Sequence, residues 1–152
     1  MVRNQTQWML DILGDAATTG LVIVATPEEM PVNETIDLAG RLHEETDVDL
    51  AAVVVNRVLP ELFGRREEEV FERLSEHRDA VSAAAGGDAG PLFEAARLAI
   101  TLRRTRAGHL DRLRKGVDPA VPLLYVPYLF LRTHGMRATR MVSQALAEEL
   151  GF

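Results

Sequence analysis

Three short, uninterrupted apolar runs constrain the fold of this chain more than any other feature. They are Leu21–Ala25 (LVIVA), residues 50–55 (LAAVVV) and residues 121–126 (VPLLYV). A strand with one face in water alternates apolar and polar residues, whereas a continuously apolar strand is typical of a parallel sheet covered on both faces. The three runs therefore predict a parallel sheet buried between helices.

Segments with helical periodicity separate and follow these runs. Apolar residues recur three or four positions apart in 35–45, 67–85, 91–115 and 136–150, and a glycine-rich stretch at 86–90 interrupts the long middle segment. In the last segment, we expect Met136, Val142, Ala145 and Leu146 to point inward. Right-handed crossovers between successive parallel strands then give an α/β fold, a three-stranded parallel sheet with helices on both faces. The chain reads as a single α/β domain over 1–152, with residues 65–115 as a helical insertion.

Three strands are few for so many covering helices. Trp8 to Leu13 resemble the last turns of a helix whose packing partners are not evident in the sequence. Both features predict that the chain is part of a larger α/β unit.

Composition excludes several classes of function. The chain has no cysteine, so disulfides, thiolate metal sites and cysteine nucleophiles are excluded. The four histidines lack metal-ligand spacing, and neither a metal site nor a catalytic residue is predicted. A net charge of −6 gives no support for binding nucleic acid. Without an apolar run of about 18 residues or a basic, apolar leader, we expect a cytoplasmic protein.

In an open parallel sheet, ligands bind just beyond the carboxyl ends of the strands. After the first run, Thr26 and Glu29 fit a capping box, with Pro27 at the first helical position. Pro31 is expected to end this turn, so that the main helix resumes near Asn33. This segment predicts a capped turn between a strand and a helix.

The other two strand ends carry the candidate binding residues. Asn56 follows the second run, where it is either a turn residue or an amide whose acceptor and donors suit the edge of a base such as adenine. After the third run come Pro127, Tyr128, Leu129 and Phe130, either loop packing or an apolar wall against a planar ring. The start of the following helix is available to an anion.

The chain contains no G-x-x-x-x-G-K-[ST] sequence. This motif supplies the backbone cradle and the lysine that hold nucleotide phosphates. Phosphoryl transfer also needs protein ligands for Mg²⁺, and no candidate for this role stands out.

At its three strand ends the chain resembles the arsenite-transporting (ArsA-like) ATPase family, which includes the ATPases that target tail-anchored membrane proteins. The similar stretches are VIVATPEEMPVNET at 22–35, AVVVNRVLPELF at 52–63 and LLYVPYLFLRTHGMRATRMV at 123–142. Together they cover the chain from about residue 20 to its end, and their amino-acid sequences look like those of the actinobacterial branch.

The resemblance implies the C-terminal portion of a P-loop NTPase of the deviant Walker A type, with ATP or ADP and Mg²⁺ bound in the complete protein. By this resemblance Asn56 matches the asparagine that hydrogen bonds adenine, and Pro127 and Tyr128 match the loop that lines the base. Leu129 and Phe130 are their expected neighbours. The glutamates of the 22–35 stretch match a framework or dimer-contact segment. The cysteine pair that binds zinc in eukaryotic relatives is missing, so zinc-mediated dimerisation is excluded.

Two functions follow as alternatives. In the first, the chain is the adenine-binding C-terminal portion of an ArsA-like ATPase, binds no nucleotide tightly by itself and is not catalytic alone. In the second, it is an interaction module without a P-loop that binds a protein partner through an exposed sheet edge. In either case we expect a homo-oligomer, such as a dimer, with a membrane-protein or oxyanion-transport partner, and neither nucleic-acid binding nor membrane insertion.

Overall fold

The computed structural model describes residues 2–131 and 135–152, which form an α/β fold of three parallel strands flanked by helices. The elements in chain order are α1 (Val2–Leu13), β1 (Leu21–Ala25), α2 (Glu29–Glu45), β2 (Leu50–Val58), α3 (Arg65–Glu76), α4 (Arg78–Ala85), α5 (Gly90–Gly116), β3 (Leu123–Pro127) and α6 (Met136–Leu150). The strand order is β1-β2-β3, and both pairings are parallel. The predicted fold class is confirmed.

The chain separates into two compact units. The first contains the residues up to Val58 and those from Gly108 onward, and the second is the helical segment Leu59–Ala107. The expected insertion at 65–115 contains α3, α4 and nearly all of α5.

The core of the first unit lies between the sheet and the helices α2 and α5. Its buried side chains are Ile23, Val53 and Val55 on the strands, Val32 on α2, Leu113 on α5, and Val117 immediately after α5. Strand residues alternate between the two faces of a sheet. Val126, which points away from this core, is also buried, and α6 is the helix that packs against β3. Helices therefore cover both faces of the sheet at β3.

The face of β1 that points away from the core is less covered by the described residues than the face that points toward it. Val22 is 49% exposed and Val24 is 63% exposed, although both are apolar strand residues. The apolar residues in the second half of α1, from Trp8 to Leu13, are also exposed, and Trp8 is 63% exposed. The sequence correctly placed Trp8 to Leu13 in the last turns of a helix.

The two edges of the sheet differ in protection. On β3, the outward backbone N–H of Tyr125 donates to Glu149 Oε2 at 3.1 Å. The Tyr125 hydroxyl accepts from Arg114 Nε at 2.9 Å, and this bond raises the pKa of the Arg114 guanidinium. On β1, Leu21–Ala25 carries neither charge nor proline, the usual devices that protect an edge strand.

The second unit has its own aromatic cluster. The ring centroid of Phe71 lies 6.4 Å from that of Phe63 and 5.6 Å from that of Phe93. A salt bridge joins Arg104 to Glu68, and the hydrogen bond within it raises the pKa of the Arg104 guanidinium.

Three local predictions are wrong. Helix α2 starts at Glu29 and runs through Pro31 without a break, so Thr26 is not its N-cap. Proline is tolerated there because residues in the first turn have no intrahelical acceptor for their N–H groups. The segment 67–85 is not one helix, because it divides at His77 between α3 and α4. Met136, expected to point inward from α6, is 71% exposed.

Candidate functional site

The candidate site lies at the carboxyl ends of β2 and β3. Val55 pairs with Tyr125 and Val58 pairs with Pro127, so two residues of β2, Asn56 and Arg57, lie opposite a single residue of β3. This extra residue is a β-bulge, which bends a strand and redirects its side chains. The sequence predicted that β2 ends at Val55, and this is wrong because pairing resumes beyond the bulge and continues to Val58.

The bulge fixes the conformation of Asn56. Arg57 has a φ of 60°, in the left-handed region that residues other than glycine rarely adopt. Its backbone N–H donates to Asn56 Oδ1 at 2.9 Å. The oxygen end of the Asn56 amide is therefore held by the backbone of the bulge.

A cavity of about 670 Å³ opens beside this bulge. This volume lies within the range of about 300–1,000 Å³ that is typical of small-molecule sites. Its walls come from the bulge, the segment after β3 and one face of α6. The lining residues are Asn56, Arg57, Pro127, Tyr128, Leu129, Leu131, Ala138, Thr139, Val142, Ser143 and Leu146.

Four of the five predicted binding residues meet at this cavity. Asn56, Pro127, Tyr128 and Leu129 all line it, although the first is more than 70 positions from the others in the sequence. Phe130 is not among the lining residues and is 66% exposed. Its ring centroid lies 4.8 Å from that of Tyr128, so it supports the cavity wall from outside.

The aromatic wall is held in place by the sheet. The backbone N–H of Tyr128 donates to the carbonyl of Val58 at 2.8 Å, which extends the β2–β3 pairing by one step beyond β3. The Tyr128 side chain is 37% exposed, so part of its ring surface is accessible to a ligand. The planes of the Tyr128 and Phe130 rings are inclined at 59°, within the geometry favoured by aromatic pairs.

Sequence reasoning missed the wall that α6 provides. Val142 and Leu146 supply apolar surface, and Thr139 and Ser143 supply hydroxyl groups to the same cavity. These residues lie three or four positions apart and therefore share one face of the helix. This periodicity was visible in the sequence, where Val142 and Leu146 were assigned to general core packing. The helix start that was expected to be available to an anion lies at Gly135 and Met136, and residues 132–134, which come just before it, lie outside the described residues.

Other kinds of site find no support in the described part of the chain. Residues 2–131 and 135–152 contain no group of three or more histidine, aspartate or glutamate side chains that could hold a metal ion. In the same residues, no helix is both long and apolar enough to cross a membrane.

Comparison with known proteins identifies the family. A family model described as an anion-transporting ATPase (ArsA) matches residues 2–82, just over half of the chain. The chain belongs to this family. The match runs from α1 into α4 and includes the bulge with Asn56, while the third similar stretch, with Pro127 and Tyr128, lies beyond it. A search of curated proteins found no match to the chain.

Proposed function

We propose that this chain is the C-terminal, nucleobase-binding portion of an anion-transporting ATPase and does not hydrolyse ATP by itself. The observation that supports the proposal best is the cavity at the carboxyl ends of β2 and β3, where Asn56, Pro127 and Tyr128 meet. Open parallel sheets bind nucleotides at this edge.

The lining suits a planar heterocycle. The accessible part of the Tyr128 ring offers a surface for stacking, and base–aromatic stacking contributes about 1–3 kcal/mol. Val142 and Leu146 offer apolar surface on the α6 side, and Asn56 offers a polar group for the edge of the base. A base between these walls would exchange water for contacts on both faces.

The chain offers a site for the base, but it does not offer comparable groups for the phosphates and Mg²⁺. The sequence has no phosphate-binding P-loop, and the described residues contain no acidic group arranged to hold a cation. In the complete ATPase, the groups that hold the phosphates and Mg²⁺ of ATP or ADP would come from outside these 152 residues. For the isolated chain we expect weak base binding, with a Kd near millimolar, equivalent to about −4 kcal/mol.

A nuclear magnetic resonance titration of the ¹⁵N-labelled chain tests this proposal. Adenosine and ATP should bind with the same affinity within about threefold, because the phosphates gain no contacts, while ribose 5-phosphate should produce no shifts at the cavity. Asn56→Ala should weaken adenosine binding by about 1–3 kcal/mol, because the polar edge of the base loses its hydrogen-bond partner. Asn33→Ala, a change of the same type on α2, is the matched control and should leave binding unchanged. Equal binding by the Asn56→Ala and wild-type chains would contradict the proposal.

A second candidate function rests on the β1 edge. Leu21–Ala25 hydrogen bonds to β2 alone among the described strands, and Val22 and Val24 are exposed on its outer face. An apolar edge strand of this type is a site for pairing with another chain. In this alternative the chain is an interaction module, and the partner that we propose is a second copy of itself, paired along β1.

A further inference from the structure

A second cavity lies at the amino ends of the strands, at the opposite end of the sheet from the candidate site. Its volume is about 480 Å³, within the range of about 300–1,000 Å³ that is typical of small-molecule sites. Its walls are the end of α2, the loop before β2 and the loop between α5 and β3, which all belong to the first unit. The apolar part of the lining consists of Leu42, Val48, Leu50, Val117, Val121 and Pro122.

The same cavity also carries two carboxylates and an imidazole, from Asp49, Asp118 and His43. Asp118 Oδ1 accepts from the backbone N–H of Ala120 at 2.8 Å, so this carboxylate is held by the loop before β3. The side chains of Asp49 and His43 form no hydrogen bond or ion pair with any other residue that the structure describes. In the described ranges, no three such side chains are arranged to hold a metal ion. An organic cation, which can extend along the cavity, suits this spacing better than a compact metal ion.

Two helices that end at this cavity make its potential more negative. The last turn of α2 ends at Glu45 and α5 ends at Gly116, and the C-terminus of a helix carries about −0.5 elementary charge. Arg41 and Lys115, two basic residues near these ends, are already in salt bridges with Glu45 and Asp111, at 3.2 and 2.6 Å. The charges at this end of the sheet therefore favour a positively charged ligand.

We propose that this cavity binds a small organic amine. The apolar walls hold the body of the ligand, and the carboxylates of Asp49 and Asp118 attract its ammonium group. This site is independent of the proposed base-binding site, because the two cavities share no lining residue and lie at opposite ends of the strands. The phosphates of a nucleotide would meet the same negative charges here and would be repelled.

Three ligands of similar shape and different charge test the proposal. Tryptamine is a cation, tryptophol is neutral and indole-3-acetate is an anion, and each carries a short polar chain on an indole ring. They are titrated to about 10 mM into the ¹⁵N-labelled chain at low salt and about pH 8, where an alkylamine is protonated and free imidazole is neutral.

We expect tryptamine to shift the backbone signals of Gly40, Gly116 and Ala120, which line the cavity. Tryptamine should bind at least about threefold more tightly than tryptophol, because exposed ion pairs make modest contributions to affinity. Indole-3-acetate should cause no shifts at these positions. In about 0.5 M NaCl the advantage of tryptamine over tryptophol should disappear, because salt screens exposed charges.

Two variants identify the groups that attract the amine. Asp49→Asn and Asp118→Asn each remove one charge and keep a side-chain oxygen, so the hydrogen bond from Ala120 is retained. Each should weaken tryptamine binding by about two- to fivefold and leave tryptophol binding unchanged, and the double variant should bind both ligands equally. Glu34→Gln, which removes the same charge from α2 outside the cavity lining, is the control and should bind tryptamine like the wild type.

The same titrations can overturn the proposal. It fails if tryptamine shifts no signal at Gly40, Gly116 and Ala120, or if its shifts are confined to Asn56 and Tyr128 at the other end of the sheet. It also fails if the three ligands bind equally well, or if the double variant keeps the full preference for tryptamine over tryptophol.

Discussion

Two glycines of α5 offer a sharp test of how α5 packs against α2. Gly116 ends the helix beside Ile36 of α2, and Ile36 packs against the core of the first unit. A Cβ added at Gly116 would lie 2.5 Å from Ile36 Cδ1, 2.7 Å from Cγ1 and 3.0 Å from Cγ2. Gly108 lies in the same helix, and a Cβ added there would meet no atom within 4 Å.

The same substitution should therefore have opposite effects at the two positions. Overpacking a core contact costs about 1–3 kcal/mol, and Ile36 cannot easily turn away because β-branched side chains are stiff in helices. Alanine instead of glycine inside a helix gains up to about 1 kcal/mol. We expect Gly116→Ala to lower the free energy of unfolding by about 1–2 kcal/mol and Gly108→Ala to raise it by up to about 1 kcal/mol.

Urea unfolding followed by far-ultraviolet circular dichroism measures both changes. Ile36→Val removes Cδ1, the atom nearest to the added Cβ, and by itself should cost about 0.5–1.5 kcal/mol. In the double variant, the cost of Gly116→Ala should fall to half or less, which a double-mutant cycle measures directly. Equal stability of Gly116→Ala and Gly108→Ala, or no coupling between Gly116 and Ile36, would refute the packing of α5 on α2.

Three further predictions follow from the same structure. Val53 on the central strand is 0% exposed, so Val53→Ala should lower the free energy of unfolding in urea by about 2–3 kcal/mol. Val24→Ala, on the exposed face of β1, should change it by no more than about 0.5 kcal/mol. Equal effects would contradict the assignment of the two faces. The isolated chain should release no phosphate from ATP above background, and release that persists through repeated purification and scales with protein concentration would contradict the need for groups from outside the chain. Light scattering should show that the chain self-associates as its concentration rises. Val24→Lys on the β1 edge should reduce this association, whereas the control Leu92→Lys on the second unit should not. A monomer at all concentrations would exclude the interaction through β1.

The sequence predicted the sheet because its signal is strong and local. Each apolar run is long enough to form a buried strand, and helical periodicity separates the runs, so strand number, direction and crossovers follow from general rules. The meeting of Asn56 with Tyr128 followed in the same way, because adjacent parallel strands end at the same edge.

The predictions that were wrong concern places where a local sequence signal is overridden by strand pairing or by the position of a residue within a helix. Asn56 and Arg57 interrupt the apolar pattern of β2, yet the strand continues because Val58 pairs with Pro127 beyond the bulge. Pro31 resembles a helix stop, but its position in the first turn makes it compatible with α2. The bond that holds Asn56 Oδ1 could not be predicted, since it requires the left-handed backbone of Arg57.

The position of a bound purine in the cavity is the most direct test of the account. Nuclear Overhauser effects between AMP and the ¹³C-labelled chain report which side chains lie within contact distance of the base. We predict contacts from the base protons to the Tyr128 ring and to the methyl groups of Val142 and Leu146, which line the cavity at the carboxyl ends of β2 and β3. Contacts instead to His43 and Val121, which line a separate cavity of about 480 Å³ at the opposite ends of the strands, would contradict the central claim.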